Sequence, residues 1–180
     1  VDGTAIPVDG GPPAAGGPRP RIRRAHWTDL DPVTLHDLVR LRLDVFVVEQ
    51  KCPYPELDGR DVHPTTEHLW LTDDHGPAAY LRVLAEPDGG LRIGRVCTRV
   101  DARGRGLAGL LMDAVLTSAP GTVFVLDAQT QVVGLYTSRG FVRCGPEYLE
   151  DGIPHIPMRR APSSLRAGRR SARSGPPADR

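Results

Sequence analysis

The sequence predicts an α/β domain built on a mixed, mostly antiparallel sheet with helices on both faces. Three observations carry this. Strand candidates follow one another through 68–98 with only short turns between them, helical and strand periods alternate from 106 onward, and two further strand candidates close the pattern before residue 160. A length of 180 residues favours one domain able to bury a full core.

The elements follow in order. Residues 21–26 (RIRRAH) read as a short edge strand. Asp31-Pro32 then supplies a helix start, a carboxylate N-cap followed by proline at the first helical position. Leu35, Leu38, Val39, Arg42, Val45 and Phe46 share helical spacing, so one amphipathic helix is expected over 32–49. Residues 52–64, rich in Pro, Asp and Gly, read as a long loop. Strands are expected at 68–72, 78–84 and 91–98, the last two joined by the hairpin signal Asp88-Gly89-Gly90. A helix over 106–118, a β-branched strand over 122–126, a second helix over 132–138 and strands at 140–144 and 155–159 complete the chain. The Gly- and Pro-rich ends lack aromatics and apolar periodicity, and so cannot offset the entropy cost of ordering. The expected organisation is a disordered tail at 1–20, a folded domain at 21–160 and a disordered basic tail at 161–180.

Charge and cysteines exclude several classes. Taking the +4 of residues 161–180 and the −1 of residues 1–20 from the total of +1 leaves the domain at −2. Such a body is no general nucleic-acid binder, and only the basic tail favours acidic partners. Cys52, Cys97 and Cys144 form no CxxC pair, so neither a metal pattern nor a disulfide framework results. No apolar stretch is long enough to span a membrane, and the N-terminus has no signal-peptide core. A reduced, cytoplasmic protein is the expectation.

The informative segment is RVCTRVDARGRGLAG, residues 95–109, a strand followed by a glycine-rich turn that opens a helix. The first N–H groups of a helix are unpaired and the macrodipole adds positive potential there. Gly104 and Gly106 let a diphosphate approach that backbone with no Cβ in the way, and Arg103 and Arg105 add charge-assisted contacts. The physical reading is a pyrophosphate cradle; the plain alternative is a solvated turn. No GK[ST] follows, so it is not a P-loop, and the GxGxxG of a dinucleotide fold is absent.

Arg103-x-x-Gly106-x-Ala108 resembles the [RQ]-x-x-G-x-[GA] acetyl-CoA signature of the GNAT family of N-acetyltransferases, and Tyr136-Thr137-Ser138-Arg139-Gly140-Phe141 resembles that family's Y-x-x-x-G-F element. The segments LRLDVFVVEQKCPY, AYLRVL, IGRV, AQ…LY..RGF and EDGIPHIPM, spread over 40–159, are similar to its ElaA-type branch. Where that branch usually has AQAHL, this chain has Gln131 in place of the histidine.

The resemblance implies a sheet whose fourth and fifth strands splay apart, with the pantetheine arm of acetyl-CoA entering the gap. It places Val96, Cys97 and Thr98 against the acetyl and pantetheine groups, Arg103 to Gly109 with Leu107 and Ala108 at the diphosphate, and Gln129 and Arg139 beside the coenzyme. It implies direct transfer of an acetyl group to a primary amine of a small molecule or peptide, with Tyr136 donating to the departing sulfur, and it leaves a homodimer open. A packing role for Tyr136, and a non-catalytic acyl-CoA-binding module of the same fold, are the alternatives. On the amine side, Glu49, Tyr54, Asp151 and His155 are expected to line the acceptor pocket. Asp127, Glu49, His68, Asp151 and His155 are the candidate bases, each with a structural alternative: a helix cap, a solvated helix end, a half-buried strand residue or a turn. Cys97 is either a nucleophile or a small apolar side chain.

Overall fold

In a computed structural model, residues 21–162 are described. The tails expected at 1–20 and, beyond residue 162, at the C-terminus lie outside the described residues.

Strand β1 (Ile22–Ala25) pairs antiparallel with β2 (Glu67–Asp73), which continues through β3 (Gly76–Ala85) to β4 (Leu91–Thr98) as an antiparallel meander. Then β5 (Phe124–Gln129) joins β4 in parallel, and β8 (Ile153–Arg160) returns antiparallel to β5. The short strands β6 (Val142–Arg143) and β7 (Tyr148–Glu150) both pair with β8, giving the order β1-β2-β3-β4-β5-β8-β6 with β7 beside β8.

Helix α1 (Pro32–Arg42) starts as the sequence indicates: Asp31 Oδ1 accepts from the backbone N–H groups of Val33 and Thr34, both at 3.0 Å. The single helix expected over 32–49 is corrected. It is α-helical only to Arg42 and then widens into a π-helical segment, Leu43–Glu49, where the Gln50 N–H reaches back to the Val45 carbonyl at 3.3 Å. The run Val45-Phe46-Val47-Val48 supplies residues that crowd a tight α-turn, and such bulges recur at functional sites.

Alternation along the strands divides the core. Leu81, Val83, Ile93 and Phe124 pack with Leu111, Met112 and Val115 of α2 (Leu107–Ser118) on one face. Tyr80, Trp70 and Cys97 pack with Leu38, Leu41 and Val45 on the other. Helix α3 (Val133–Thr137) follows a 3-10 turn at Thr130–Val132, and so is shorter than expected. Strand β7 has no counterpart in the sequence reading, because its three residues are all exposed and carry no alternation. It enters β8 through Asp151-Gly152, with φ of 51° and 81°, the double positive φ of a tight hairpin turn.

The irregular loop over 52–64 is held by arginines. Arg42, whose side chain is 1% exposed, binds Glu56 at 2.6 Å and Asp61 at 2.9 Å. Arg82 binds Asp58 at 2.7 Å and Asp61 at 2.8 Å, and Arg95 binds Glu56 at 2.7 Å. Burial alone pushes the Asp61 and Asp58 carboxyls up, but the arginine hydrogen bonds reverse this and hold both below the ordinary carboxylate range. Their folded pKa values therefore lie below the unfolded value of about 3.9, so their stabilisation is full above that pH and is lost as pH falls through the folded values. Thermal melts from pH 6 to pH 2 should show Tm holding to about pH 4 and falling steeply below it. Arg42→Leu should melt lower at neutral pH, because Glu56 is then held by Arg95 and Asp61 by Arg82 with their most buried partner gone, a cost of up to about 3–5 kcal/mol. A wild-type Tm independent of pH over this range would contradict the assignment.

Candidate active site

Strands β4 and β5 pair only at Leu91–Phe124 and Arg92–Val125, and beyond those two rungs each runs on without the other. A register shift opposite β3 and a left-handed Arg95, φ 53°, help β4 turn aside. The gap opens into a cavity of about 650 Å³, walled by Val96, Cys97 and Thr98 of β4 and by Leu126, Asp127 and Gln129 of β5.

The start of α2 reaches the same cavity through Gly104, Gly106, Leu107, Ala108 and Gly109. No side chain caps this helix, and Leu110 makes the first intrahelical bond, to the Gly106 carbonyl at 3.1 Å. The N–H groups before it are the unpaired donors of a helix start. Gly104 and Gly106 both sit at φ 70°, and a Cβ on either would project into open space. The backbone is thus a concave donor surface with room for an anion beside it.

Of the arginines expected at the coenzyme, Arg103 and Arg105 at the diphosphate and Arg139 beside it, Arg103 alone lines the cavity. Arg105 pairs with Asp73 at 3.0 Å and Arg139 with Asp113 at 2.8 Å, and neither belongs to the cavity wall. Gly109 is tied to this arrangement, since a Cβ there would collide with the Arg139 guanidinium. Arg103 does line the cavity, but its fork is held by both oxygens of Glu49 at 2.8 and 2.6 Å, and its Nε donates to the Thr98 carbonyl at 3.2 Å. Gln129 also lines the cavity, and its amide exchanges hydrogen bonds with Gln50 at 3.4 and 3.2 Å. Gln131, where the branch usually has histidine, donates to Gln129 at 3.1 Å and so braces that amide.

Tyr136 on α3 also lines the cavity. It is 6% exposed, its ring meets Phe141 edge-on at 6.1 Å, and its hydroxyl has no protein hydrogen-bond partner among the described residues. Burial pushes its pKa up. Burial also raises the Cys97 thiol, which keeps it protonated and fits the small apolar side chain rather than the nucleophile.

The loop after the π-helical segment and the β7–β8 hairpin meet at the other end of the cavity. The Cys52 thiol lies 3.5 Å from the Asp151 carbonyl, and Glu49, Tyr54, Asp151 and His155 all line the wall. The Tyr54 hydroxyl donates to Glu56 at 2.5 Å, and the Arg95 guanidinium lies 5.4 Å from its ring centre. Burial and the Glu56 hydrogen bond raise the Tyr54 pKa. His155 Nδ1 is 2.8 Å from the Ile153 carbonyl, an acceptor only, so Nδ1 carries the proton and a neutral His155 leaves the Nε2 lone pair unused.

Two candidate bases are otherwise engaged. His68 is fully buried away from the cavity, with Nδ1 on the Tyr80 hydroxyl at 2.6 Å and Nε2 on the Asp61 carbonyl at 3.1 Å. Asp127 lines the cavity but is bound by Arg92 at 2.5 Å.

Residues 40–162 match the GNAT acetyltransferase domain. The chain belongs to the GNAT family. Its ElaA-type membership follows from relatives along nearly their whole length. A UPF0039 protein of Mycobacterium tuberculosis is 48% identical over 143 residues, which is 77% of this chain and 92% of the relative. The ElaA protein of Escherichia coli is 37% identical over 143 residues, 75% and 92% of the two chains. Among solved structures, an acyl-CoA N-acyltransferase from Pseudomonas aeruginosa superposes with a TM-score of 0.73 at 44% identity, covering 79% of this chain and 99% of that one. Escherichia coli ElaA gives 0.73 at 34% identity, covering 78% and 99%. The protein is accordingly an acyltransferase with an acyl-CoA-binding GNAT fold.

For this GNAT enzyme, sequence reasoning missed the arginine–carboxylate frame around the cavity: Arg42, Glu56, Asp61, Arg82 and Arg95. The one local signal was Arg82 inside the apolar run AYLRVL, since a charge at an inward strand position needs a buried partner. No helix among the described residues is long and apolar enough to cross a membrane, and none of them form a cluster of three or more potential metal ligands.

Proposed function

We propose that this protein moves an acetyl group from acetyl-CoA to a primary amine of a small molecule or peptide by direct attack. One observation carries the reading. The uncapped start of α2, the divergence of β4 from β5 and the unpartnered Tyr136 hydroxyl all open on one cavity.

The residues present fit the coenzyme. Gly104 and Gly106 leave open the space that a diphosphate would fill, and the N–H groups from Leu107 to Gly109 are the donors for it. Val96 to Thr98 lie where β4 has lost its β5 partner, so its backbone amides are available to a pantetheine chain and a thioester oxygen. When bound, acetyl-CoA supplies the activated acyl group, whose carbonyl the amine attacks as the sulfur leaves.

Tyr136 serves the sulfur. A free tyrosine near pKa 10 is already a weaker acid than a thiol near 8.5, by roughly 2 kcal/mol, and burial weakens it further. Tyr136 therefore stabilises the developing thiolate by donating a hydrogen bond, with full proton transfer the lesser contribution. At the opposite end, Tyr54 and Asp151 shape the acceptor pocket, and His155 Nε2 takes the ammonium proton directly or through one water.

Deprotonating a lysine-like amine of pKa about 10.4 costs roughly 4.6 kcal/mol at pH 7, whereas an α-amino group near 7.7 costs about 1. Turnover over primary amines of graded basicity, followed by thiol release at pH 7, should give kcat/KM rising as amine pKa falls. A panel in which no amine is acetylated, while coenzyme A still binds, would leave the non-catalytic acyl-CoA-binding module instead.

A further inference from the structure

We propose that Glu49 and the coenzyme diphosphate compete for Arg103, so that arrival of the donor frees Glu49 to hold the acceptor ammonium. This deepens the acetyltransferase reading and rests on it.

Every guanidinium nitrogen of Arg103 is engaged. Nη1 and Nη2 take the two Glu49 oxygens at 2.8 and 2.6 Å, and Nε takes the Thr98 carbonyl at 3.2 Å. The planar fork that fits a carboxylate this way fits two phosphate oxygens equally well. Arg103 directly precedes Gly104, where the open backbone around the start of α2 begins, and both line the cavity. The other two arginines expected at the coenzyme, Arg105 and Arg139, are committed to Asp73 and Asp113 and lie outside the wall. Of these three, Arg103 is thus the guanidinium that a diphosphate at the start of α2 meets, and Glu49 already occupies it.

The pair is placed for exchange rather than for permanence. Its side chains are 27% and 29% exposed, against 1% for both partners of the Arg42–Glu56 pair. Breaking it does not strand a charge in the core. A diphosphate carries more negative charge than one carboxylate and also gains the N–H groups of α2, so it displaces Glu49 from the fork.

The displaced carboxylate then stands without a cation in the cavity wall, at the end of the π-helical segment and on the side shared with Tyr54. A half-buried carboxylate is costly until a new cation replaces the old one. The acceptor ammonium is that cation. The exchange moves no proton: Arg103 trades one anion for another, Glu49 trades one cation for another, and the ammonium proton leaves afterwards to His155. The two substrates become mutually reinforcing, since any free energy by which donor binding favours the acceptor must act equally in reverse.

The test uses the full chain and two probes, coenzyme A and pantetheine, which lacks the diphosphate. By calorimetry, Glu49→Gln should bind coenzyme A about 5- to 50-fold more tightly than wild type, within the range of an ordinary coupling, with pantetheine affinity unchanged. In an Arg103→Gln background the same change at position 49 should have no effect on coenzyme A. With acetyl-CoA saturating, Glu49→Gln should raise the acceptor KM more than it lowers kcat. Equal or weaker coenzyme A binding by Glu49→Gln would overturn the exchange and make Glu49 a fixed brace for Arg103. Failure of wild type to bind coenzyme A at all would overturn the donor site as well, so the two readings fail in different ways.

Discussion

Gly106→Val should abolish measurable coenzyme A binding, an expected loss of roughly 100-fold or more, while the domain still folds. Two effects of the substitution must be separated. Gly106 sits at φ 70°, where a β-branched residue is strained by about 1–3 kcal/mol, so a lower Tm is expected. Its Cβ would meet nothing of the protein within 4 Å, so the fold itself is not displaced. The valine methyls instead enter the space next to the first N–H groups of α2, where the diphosphate must approach. Gly89→Val supplies the control. It has φ 84° and equally open surroundings, but lies in the β3–β4 turn outside the cavity wall. It should lower Tm similarly and bind coenzyme A as wild type does. Near-native affinity in Gly106→Val, or equal losses in both variants, would refute the cradle.

Tyr136→Phe should lower kcat by roughly 10- to 1,000-fold and leave coenzyme A affinity and Tm nearly unchanged. The range reaches no further than ordinary general-acid effects, because in the proposed mechanism a tyrosine whose pKa burial raises serves the thiolate by hydrogen bonding more than by releasing its proton. The unchanged Tm follows from the hydroxyl's lack of any protein hydrogen bond among the described residues: removing it leaves no donor or acceptor stranded. The ring and its edge contact with Phe141 remain in the phenylalanine variant. Equal turnover in the two proteins would reduce Tyr136 to a packing residue.

What was legible in the sequence is what local pattern encodes. The Asp31-Pro32 cap, the Asp88-Gly89-Gly90 hairpin signal between β3 and β4, the apolar stripe of α2 and the glycines at 104 and 106 each act within a few residues, and each stands in the structure where the pattern put it. Glu49, Tyr54, Asp151 and His155, expected on the acceptor side, come from separate segments grouped by resemblance, and all four line the same cavity.

The partners of charges were not legible. Arg103 meets Glu49 from 54 residues away, Arg139 meets Asp113 from 26, and Arg105 meets Asp73 from 32. A motif can name an arginine as cationic, but only the fold says which carboxylate it faces. The widening of the first helix at Leu43 was equally hidden, because an α and a π turn bury nearly the same apolar residues and differ in where Glu49 and Gln50 emerge. Strand β7 exists through the backbone of β8 and the Asp151-Gly152 turn, while its own three side chains are exposed.

A cavity that joins a thioester to an amine makes the purified full chain a catalyst of acetyl transfer, an activity open to direct measurement. Protein, acetyl-CoA and a low-pKa primary amine should yield acetylated amine, identified by mass, and free coenzyme A thiol in equal amounts. The rate should fall in Tyr136→Phe and vanish in Gly106→Val. Coenzyme A binding to wild type with no acetylated product from any amine, or thiol release unaffected by either substitution, would contradict it.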